Sequence, residues 1–319
     1  MSNGMKAKPD PLIGQVMQGR YRVIDRLGAG GMGTVYLAEQ LSVGGRKVAI
    51  KVLHEQYARD EEFVGRFRRE AHSAAALTHQ RTVTIYDFGQ TEDGNLFIAM
   101  EYVAGRTLKQ VIQDESLPVD RAVALGIQIA EALQAVHRAG VIHRDVKPEN
   151  IMVREDDEIK LTDFGIARPR DRTKTSFTRT GMIVGTPEYM APELFESGEF
   201  GVQSDIYALG IVLYEMLSGE VPFTGSMATI MRKHLQEEPR ALRKLRRDVP
   251  APVEQVVMQA LEKKPQERQR DMVEVIDQLQ GANGATKKGK VAFHRPLWSR
   301  GRDLFQTRSG HGRSGLLPR

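Results

Sequence analysis

Apolar and polar residues alternate along the first third of the chain, and glycines or short polar turns separate the alternating segments. A period of two residues predicts β-strands. The predicted strands are residues 18–28, 34–40, 46–53, 84–90 and 96–102. One segment of this region, residues 60–78, has a helical period instead and places Phe63, Phe67 and Ala71 on one stripe. The pattern predicts a five-stranded antiparallel sheet with a single helix.

The pattern changes after Gly105, where apolar residues recur mainly with helical spacing. Gly140 follows the longest such segment, in the position that a left-handed helix end favours. The predicted helices are residues 119–138, 204–217, 227–236, 252–261 and 272–280, and two short strands are predicted at 151–153 and 158–161. A strand-rich first third and a helix-rich remainder predict an α+β, bilobal protein with a cleft between the lobes.

The composition is that of an ordinary globular protein, with 40% hydrophobic and 27% charged residues in 319. The absence of cysteine excludes disulfides, thiolate metal sites and a cysteine nucleophile. No apolar run reaches the length of a transmembrane helix, since the best candidate, residues 206–217, is short and contains Glu215. The N-terminus does not resemble a secretory signal. These features predict a soluble, cytoplasmic protein.

The net charge of +5 belongs to the end of the chain. Residues 281–319 contain nine Lys or Arg against one acid, Asp303, so the preceding 280 residues are slightly acidic. Apolar residues such as Phe293 and Trp298 lie among these basic residues. Three interpretations stay open beside a plain flexible tail: contact with a membrane surface, contact with nucleic acid, or docking on the rest of the chain.

Residues 27–35 contain the glycine pattern G-x-G-x-x-G-x-V. Glycines allow the backbone to fold closely over phosphate groups. In dinucleotide-binding folds a helix follows such glycines, whereas a strand pattern follows here. A mononucleotide site is therefore favoured, and a dinucleotide-dependent oxidoreductase is a distant alternative.

Four further motifs follow in a fixed order: Val48-Ala-Ile-Lys51, His143-Arg-Asp-Val-Lys-Pro-Glu-Asn150, Asp163-Phe-Gly165 and Ala191-Pro-Glu193. With the glycine loop, they resemble the motif set of protein kinases. The chain is similar to the Hanks-type (eukaryotic-like) serine/threonine protein kinases of bacteria. The resemblance covers residues 21–280 and implies a kinase domain with an N-lobe (21–103) and a C-lobe (104–280). An extension (1–20) would precede it and the basic tail (281–319) would follow.

The resemblance, together with the chemistry of phosphoryl transfer, assigns the catalytic roles. Asp145 would accept the proton of the substrate hydroxyl, and Lys147 would neutralise charge on the transferring group. Asn150 and Asp163 are oxygen donors suited to Mg²⁺, with Mn²⁺ as an alternative. Lys51 would hold the phosphates of ATP. Its expected brace is Glu70, which lies on the inward stripe of the predicted helix.

The nucleotide site follows by position in the motifs. The expected contacts besides Lys51 are Leu27, Gly28, Ala29, Gly30, Gly31, Met32, Gly33, Thr34, Val35, Ala49, Glu101, Val103 and Met152. Met100 would be the gatekeeper residue. Glu101 and Val103 would use backbone groups to bind the base edge.

The resemblance also implies residues that support or regulate the site. Thr186 would bond to Asp145 and Lys147, Asp205 would brace the catalytic loop, and Glu193 would pair with Arg268. Arg144 precedes Asp145, as in kinases whose activation loop orders upon phosphorylation. The expected phosphorylation sites are Thr178 and Thr180.

These features predict an enzyme that transfers the γ-phosphoryl group of ATP to Ser or Thr hydroxyls of proteins. Lys147 and the Gly185-Thr-Pro-Glu-Tyr189 segment favour Ser/Thr over Tyr as the acceptor. Autophosphorylation of the activation loop is the expected form of activation, and a homodimer is one arrangement in which it could occur in trans. The alternative is a pseudokinase that binds nucleotide or a partner protein without transferring phosphate.

Overall fold

The computed structural model of the chain describes residues 10–165 and 186–290, the last eight of these by their backbone alone. The N-lobe is built on an antiparallel sheet of six strands in the order β1-β2-β3-β4-β6-β5. The strands are β1 Val16–Met17, β2 Tyr21–Gly30, β3 Gly33–Gln40, β4 Arg46–Leu53, β5 Ile85–Gln90 and β6 Leu96–Glu101. Alternate residues are buried in β2, as Tyr21 and Val23 show, whereas every residue of β6 from 96 to 100 is buried. The central strands therefore have buried residues on both faces: Ile98 packs in the main core and Phe97 in a second cluster on the other side of the sheet.

The third glycine of the glycine loop is required by a close approach between strands. A Cβ atom on Gly33 would lie 2.1 Å from the carbonyl oxygen of Val52 on the neighbouring β4. Any side chain at this position would displace the loop from the strand that carries Lys51.

One long helix packs on this sheet, after the short helix α1 (Glu55–Ala58). Helix α2 spans Glu61–Ala75 and begins at Asp60, whose carboxylate accepts a hydrogen bond from the Phe63 backbone N–H at 3.0 Å. Its buried stripe includes Phe63 and Phe67 and faces the core. This packing fixes the face of α2 on which Glu70 lies.

The C-lobe is mainly helical. Its helices are α3 Leu108–Asp114, α4 Val119–Arg138, α5 Pro192–Glu196, α6 Val202–Ser218, α7 Met227–Gln236, α8 Leu242–Leu245, α9 Ala251–Ala260 and α10 Met272–Lys290. A small sheet of β7 Arg106–Thr107, β8 Ile151–Val153 and β9 Ile159–Leu161 lies beside the cleft. Helix α6 is central, since every residue from 204 to 217 is buried. Among the described residues, no helix is long and apolar enough to cross a membrane.

Behind the cleft, Arg81 joins the two lobes. Its guanidinium lies 2.6 Å from the carboxylate of Glu131 on α4 and 2.6 Å from that of Glu158 beside β9. The segment between α2 and β5 is thus tied to the C-lobe, and the two lobes share one wall.

The predicted α+β, bilobal fold is confirmed. The sheet has six strands rather than five, because β1, with two residues, is too short to show an alternating pattern. Met17 of this strand is buried, so the sheet starts before the predicted domain boundary at residue 21. Helix α10 runs past the predicted boundary at residue 280. The single helix predicted for the N-lobe is joined by α1, one turn long and too short for a periodic signal.

Candidate active site

A cavity lies between the two lobes. The N-lobe contributes Met32, Lys51 and Met100 to its lining, and the C-lobe contributes Asp145 and Asp163. Residues 27–35 lie on β2, the glycine turn and β3 above this cavity. Fold and motif therefore place the predicted phosphate loop over the predicted catalytic groups.

The residues predicted to contact the base belong to the strands that bound the cleft. Ala49 and Met100 face each other across β4 and β6, and both are buried. Met152 lies on β8 of the opposite lobe. The Glu101 carboxylate is 2.9 Å from the Lys160 ammonium, so its side chain joins the lobes and its backbone is held at the cleft edge. Val103 follows β6 in the connection between the lobes.

The ion pairs in the cleft differ from the expected ones. The Lys51 ammonium lies 2.7 Å from a carboxylate oxygen of Asp163. The Glu70 carboxylate instead lies 3.2 Å from the guanidinium of Arg144. In this structure Glu70 therefore does not pair with Lys51, and the expected brace is not formed. The sequence identified these four charged residues, but it did not show which of them pair. The pairing depends on the distance between α2 and β4, which only the tertiary structure determines.

The catalytic loop brings three predicted residues together. The Lys147 ammonium lies 3.2 Å from the Asp145 carboxylate and donates to the Thr186 hydroxyl at 3.3 Å. Asn150 donates its amide N–H to the backbone carbonyl of Asp145 at 2.8 Å. This bond uses the NH₂ group of the Asn150 amide. The amide oxygen, which is the atom that Mg²⁺ would bind, is not used by this bond. A hydroxyl that reaches Asp145 would therefore meet a cation and a carboxylate together.

The two predicted metal-binding residues fit a magnesium ion shared with a nucleotide. Mg²⁺ is usually held by one or two carboxylates together with substrate phosphates and water. Asp163 supplies a carboxylate that lines the cleft, and Asn150 supplies an amide oxygen from a buried turn whose backbone carbonyl accepts from the Thr162 N–H at 2.9 Å. Asp163 has a φ of 55°, an uncommon conformation for a residue with a side chain. Strained backbone of this kind is concentrated at functional sites.

A buried carboxylate holds the catalytic loop from below. Asp205 accepts hydrogen bonds from the backbone N–H groups of His143 and Arg144, both at 2.9 Å. Arg144 has a φ of 66°. The His137 ring nitrogen Nε2 lies 2.7 Å from the same carboxylate. The left-handed turn before Asp145 is thus held in place by a charged acceptor.

The ring of His143 holds the backbone of Asp145, which lies two residues further along the loop. Its Nδ1 accepts from the Asp145 backbone N–H at 3.3 Å, and its Nε2 lies 3.0 Å from the carbonyl oxygen of Thr162. Burial lowers the pKa of His143, and the neutral ring has one donor and one acceptor nitrogen. Since Nδ1 accepts a hydrogen bond and Nε2 faces a carbonyl oxygen, these contacts correspond to the neutral ring with its proton on Nε2.

The segment that carries Thr186 is anchored by a second buried network. The Arg268 guanidinium donates to both carboxylate oxygens of Glu193 at 2.9 and 2.8 Å. It also donates to three backbone carbonyls, and its side chain is fully buried. Ser204, at the start of α6, donates to the same carboxylate at 2.8 Å. The predicted Glu193 and Arg268 pair is thus present.

Sequence reasoning missed a cluster on the C-lobe side of this segment. The Glu215 carboxylate of α6 accepts a hydrogen bond from the Tyr189 hydroxyl at 2.7 Å and lies 2.6 Å from the Lys109 ammonium. The available signal was the acid itself, which interrupts an otherwise apolar helix. The predicted phosphorylation sites Thr178 and Thr180 and most of the basic tail lie outside the described residues.

The comparisons with known proteins agree with this geometry. The family model for the protein kinase domain matches residues 21–278. The serine/threonine-protein kinase PrkC of Bacillus subtilis is 41% identical over 285 residues, which are 88% of this chain and 43% of that protein. The serine/threonine-protein kinase pkn3 of Myxococcus xanthus is 44% identical over 269 residues, 81% of this chain and 49% of that protein. The chain thus spans less than half the length of these two relatives.

Solved structures give the same result. The crystal structure of the PknI kinase domain of Mycobacterium tuberculosis aligns with a TM-score of 0.67 and 33% identity, over 84% of this chain and 98% of that structure. The cleft between a strand-rich lobe and a helical lobe is therefore that of a protein kinase domain. The chain belongs to the protein kinase domain family, and its relatives are Hanks-type serine/threonine kinases of bacteria.

Proposed function

We propose that the chain is a protein serine/threonine kinase that transfers the γ-phosphoryl group of ATP to protein hydroxyls. The observation that carries the proposal is the contact chain from Asp145 through Lys147 to Thr186. These contacts support the proposed roles, in which the Asp145 carboxylate deprotonates the substrate hydroxyl and the Lys147 cation stabilises the phosphoryl charge. The names of the relatives, all serine/threonine-protein kinases, support the choice of acceptor.

Each polar group of the cleft has one task in this reaction. Asp145 orients the attacking hydroxyl and accepts its proton. Lys147 stabilises negative charge on the transferring group, and Lys51 binds the phosphates that remain. Asn150 and Asp163 hold Mg²⁺, which supplies positive charge to the phosphate oxygens when it is bound. Lys51 lies within 2.7 Å of Asp163, so it must exchange this partner for phosphate during the cycle.

Phosphosite mapping tests this function. The protein is incubated with Mg-ATP, and wild type is compared with Asp145→Asn by mass spectrometry. We expect phosphate on Ser or Thr in the wild type alone. Nucleotide binding without any phosphate transfer to the chain or to added protein would instead support a pseudokinase. NADH binding, measured by fluorescence, would support the oxidoreductase alternative.

The proposed regulation acts through phosphorylation of Thr178 and Thr180, and the position of Arg144 supports it. Its guanidinium contacts Glu70 in this structure, and a phosphate group with about −1.5 to −2 charges would compete for it. Release of Glu70 would leave this acid available to Lys51. We expect the Thr178→Ala/Thr180→Ala variant to lose most of the ATP-dependent gain in activity. Equal activity with and without both threonines would contradict this form of regulation.

Trans-autophosphorylation in a homodimer is part of the same proposal. A reaction between two copies has an initial specific rate that rises with protein concentration, whereas a reaction within one copy does not. The measurement is incorporation of labelled phosphate at several protein concentrations. A rate that stays constant down to concentrations at which the protein is monomeric would exclude the two-copy reaction.

Three finer assignments complete the proposal. The metal is Mg²⁺, with Mn²⁺ as the alternative, and steady-state activity with each metal tests this assignment. The kinase acts in the cytoplasm, and cell fractionation tests this location. For the basic tail, residues 281–319, contact with a membrane surface and contact with nucleic acid both stay open beside a plain flexible tail. Deletion of the tail, followed by binding assays with anionic vesicles and with RNA, separates these two targets.

A further inference from the structure

A buried acid lies beside the segment that carries Thr186. Glu215 belongs to the apolar helix α6, and its side chain is 3% exposed. Its carboxylate accepts a hydrogen bond from the Tyr189 hydroxyl at 2.7 Å and lies 2.6 Å from the Lys109 ammonium. Three separate elements therefore meet at one carboxylate: α6, the turn after Thr186, and α3.

This cluster borders the place where a protein substrate must lie. Tyr189 is three residues from Thr186, whose hydroxyl accepts a hydrogen bond from Lys147 beside Asp145. Helix α3, which carries Lys109, packs against the turn of residues 148–150 that ends the catalytic loop. The cluster is thus joined to the Asp145 loop through Thr186 on one side and through α3 on the other.

The charges of the cluster are matched. Burial and the Glu215 carboxylate raise the pKa of Tyr189, so its hydroxyl keeps its proton and acts as a donor. The Lys109 ammonium supplies the positive charge. Lys109 is 29% exposed, against 3% for Glu215, so the lysine lies between the acid and the solvent. A buried carboxylate that loses its cation is strongly unfavourable unless another cation replaces it.

We propose that Lys109 is a specificity-determining residue. It covers the Glu215 carboxylate and prevents this acid from selecting Arg or Lys side chains of a protein substrate. An arginine of the substrate would otherwise be well suited to this acid, because a guanidinium pairs with a carboxylate through two hydrogen bonds. The inference rests on the proposed kinase function, since it concerns the substrate of that reaction.

The test compares the preference of variants for basic peptides. The probes are short peptides with a single Thr, in pairs that differ by Arg or Gln at one of the four positions before it. The quantity compared is the Arg-to-Gln ratio, which is kcat/KM for the Arg peptide divided by kcat/KM for its Gln partner. For one of the four positions, we expect this ratio to be about tenfold higher in Lys109→Ala than in wild type. The double variant Lys109→Ala/Glu215→Gln should return to the wild-type ratio. The matched control is Lys264→Ala, which removes an exposed lysine paired with Glu267 and should leave every ratio unchanged.

Unchanged ratios in Lys109→Ala, or a gain that persists in the double variant, would overturn the proposal. Should Lys109→Ala fail to fold, Lys109→Gln serves as the second variant, because its amide can still donate to Glu215 without a charge. Its ratio should move in the same direction by a smaller factor. An unchanged ratio in a folded Lys109→Gln would equally overturn the proposal.

Binding measurements separate this inference from the kinase function. The same peptides with Thr→Ala are labelled, and their affinity is measured by fluorescence anisotropy, which requires no phosphate transfer. A shift in the Arg-to-Gln affinity ratio without any turnover would contradict the kinase function and support the role of Lys109. Normal turnover with unshifted ratios would support the kinase function and contradict the role of Lys109.

Discussion

Two sets of ion pairs surround Asp145, and they differ in burial and in number of partners. The first set, the cleft pairs, consists of Lys51 with Asp163 and Glu70 with Arg144. The second set, the base network, consists of Glu193, Arg268 and Asp205 with their partners beneath the catalytic loop. The exposed fractions of Lys51 and Asp163 are 18% and 29%, whereas those of Arg268 and Asp205 are 0% and 2%.

The difference in bonding follows the difference in burial. Arg268 makes five hydrogen bonds, to Glu193 and to three backbone carbonyls. Lys51 lies by contrast at the edge of an open cavity, where water and nucleotide can reach it. A buried charge needs all of its partners in the folded protein, whereas a charge at an open cleft can exchange them. The base network therefore holds Asp145 in place, and the cleft pairs are suited to change partners during the reaction.

The largest expected effect is on the stability of the base network. Arg268→Ala leaves the Glu193 carboxylate without its buried cation and should lower the free energy of unfolding by about 3–5 kcal/mol. The measurement is urea denaturation. The control is Lys264→Ala, four residues away, which removes a largely exposed pair with Glu267 and should change the free energy of unfolding far less. Similar losses in the two variants would show that burial does not distinguish these pairs.

The next effect is on activity rather than stability. Lys51→Met removes the cation that binds phosphate and should lower kcat by about 10²–10³-fold. Its pair with Asp163 is partly exposed, so the free energy of unfolding should change by less than about 1 kcal/mol. Initial-rate kinetics and urea denaturation of one preparation provide both numbers. A stability loss as large as that of Arg268→Ala would contradict the division into two sets.

The base network should also make stability depend on pH. His234 packs beside Tyr207, whose hydroxyl lies 2.9 Å from its Nδ1, and the Arg268 guanidinium lies over the same tyrosine ring. Burial, and then the nearby Lys263, lowers the pKa of His234 to about 3. Below a pH of about 6.5 the unfolded chain protonates this histidine while the folded chain does not. Stability should therefore fall as the pH drops from about 6.5 towards 3, by at most about 1.4 kcal/mol per pH unit.

Denaturation of wild type and His234→Gln at pH 7 and pH 5 checks this dependence. The variant should show the weaker loss between the two values, because Gln has no proton to bind. His79 and His143 also have a lowered pKa and remain in both proteins, so the comparison isolates His234. An equal loss in the two proteins would assign the pH dependence to other groups.

The smallest effect is expected at Glu70. Glu70→Gln weakens the contact with Arg144 and should change the free energy of unfolding by less than about 1 kcal/mol. The matched control on the same helix is Glu62→Gln, whose acid forms an exposed pair with Arg66. A loss at Glu70 several times that of the control would place it with the base network instead of the cleft pairs.

Most of the fold could be predicted from periodicity. Helices α4 and α7 have the predicted bounds, because a long amphipathic stripe ends clearly at both sides. Short elements such as β1 and α8 were missed, since two to four residues contain too little of any period. The bounds of α6 were close to those predicted, although its all-round burial reflects its central position in the lobe.

The sequence by itself determined the chemistry of the catalytic loop. Asp145, Lys147 and Asn150 lie within six residues, so local backbone geometry suffices to bring them together, and their spacing is recognisable. Only the tertiary structure decided which distant charges meet. Lys51 pairs with Asp163, 112 positions away, and Lys109 covers Glu215, 106 positions away. Electrostatic pairing depends on distance in space and on burial, and both arise only when the lobes have packed.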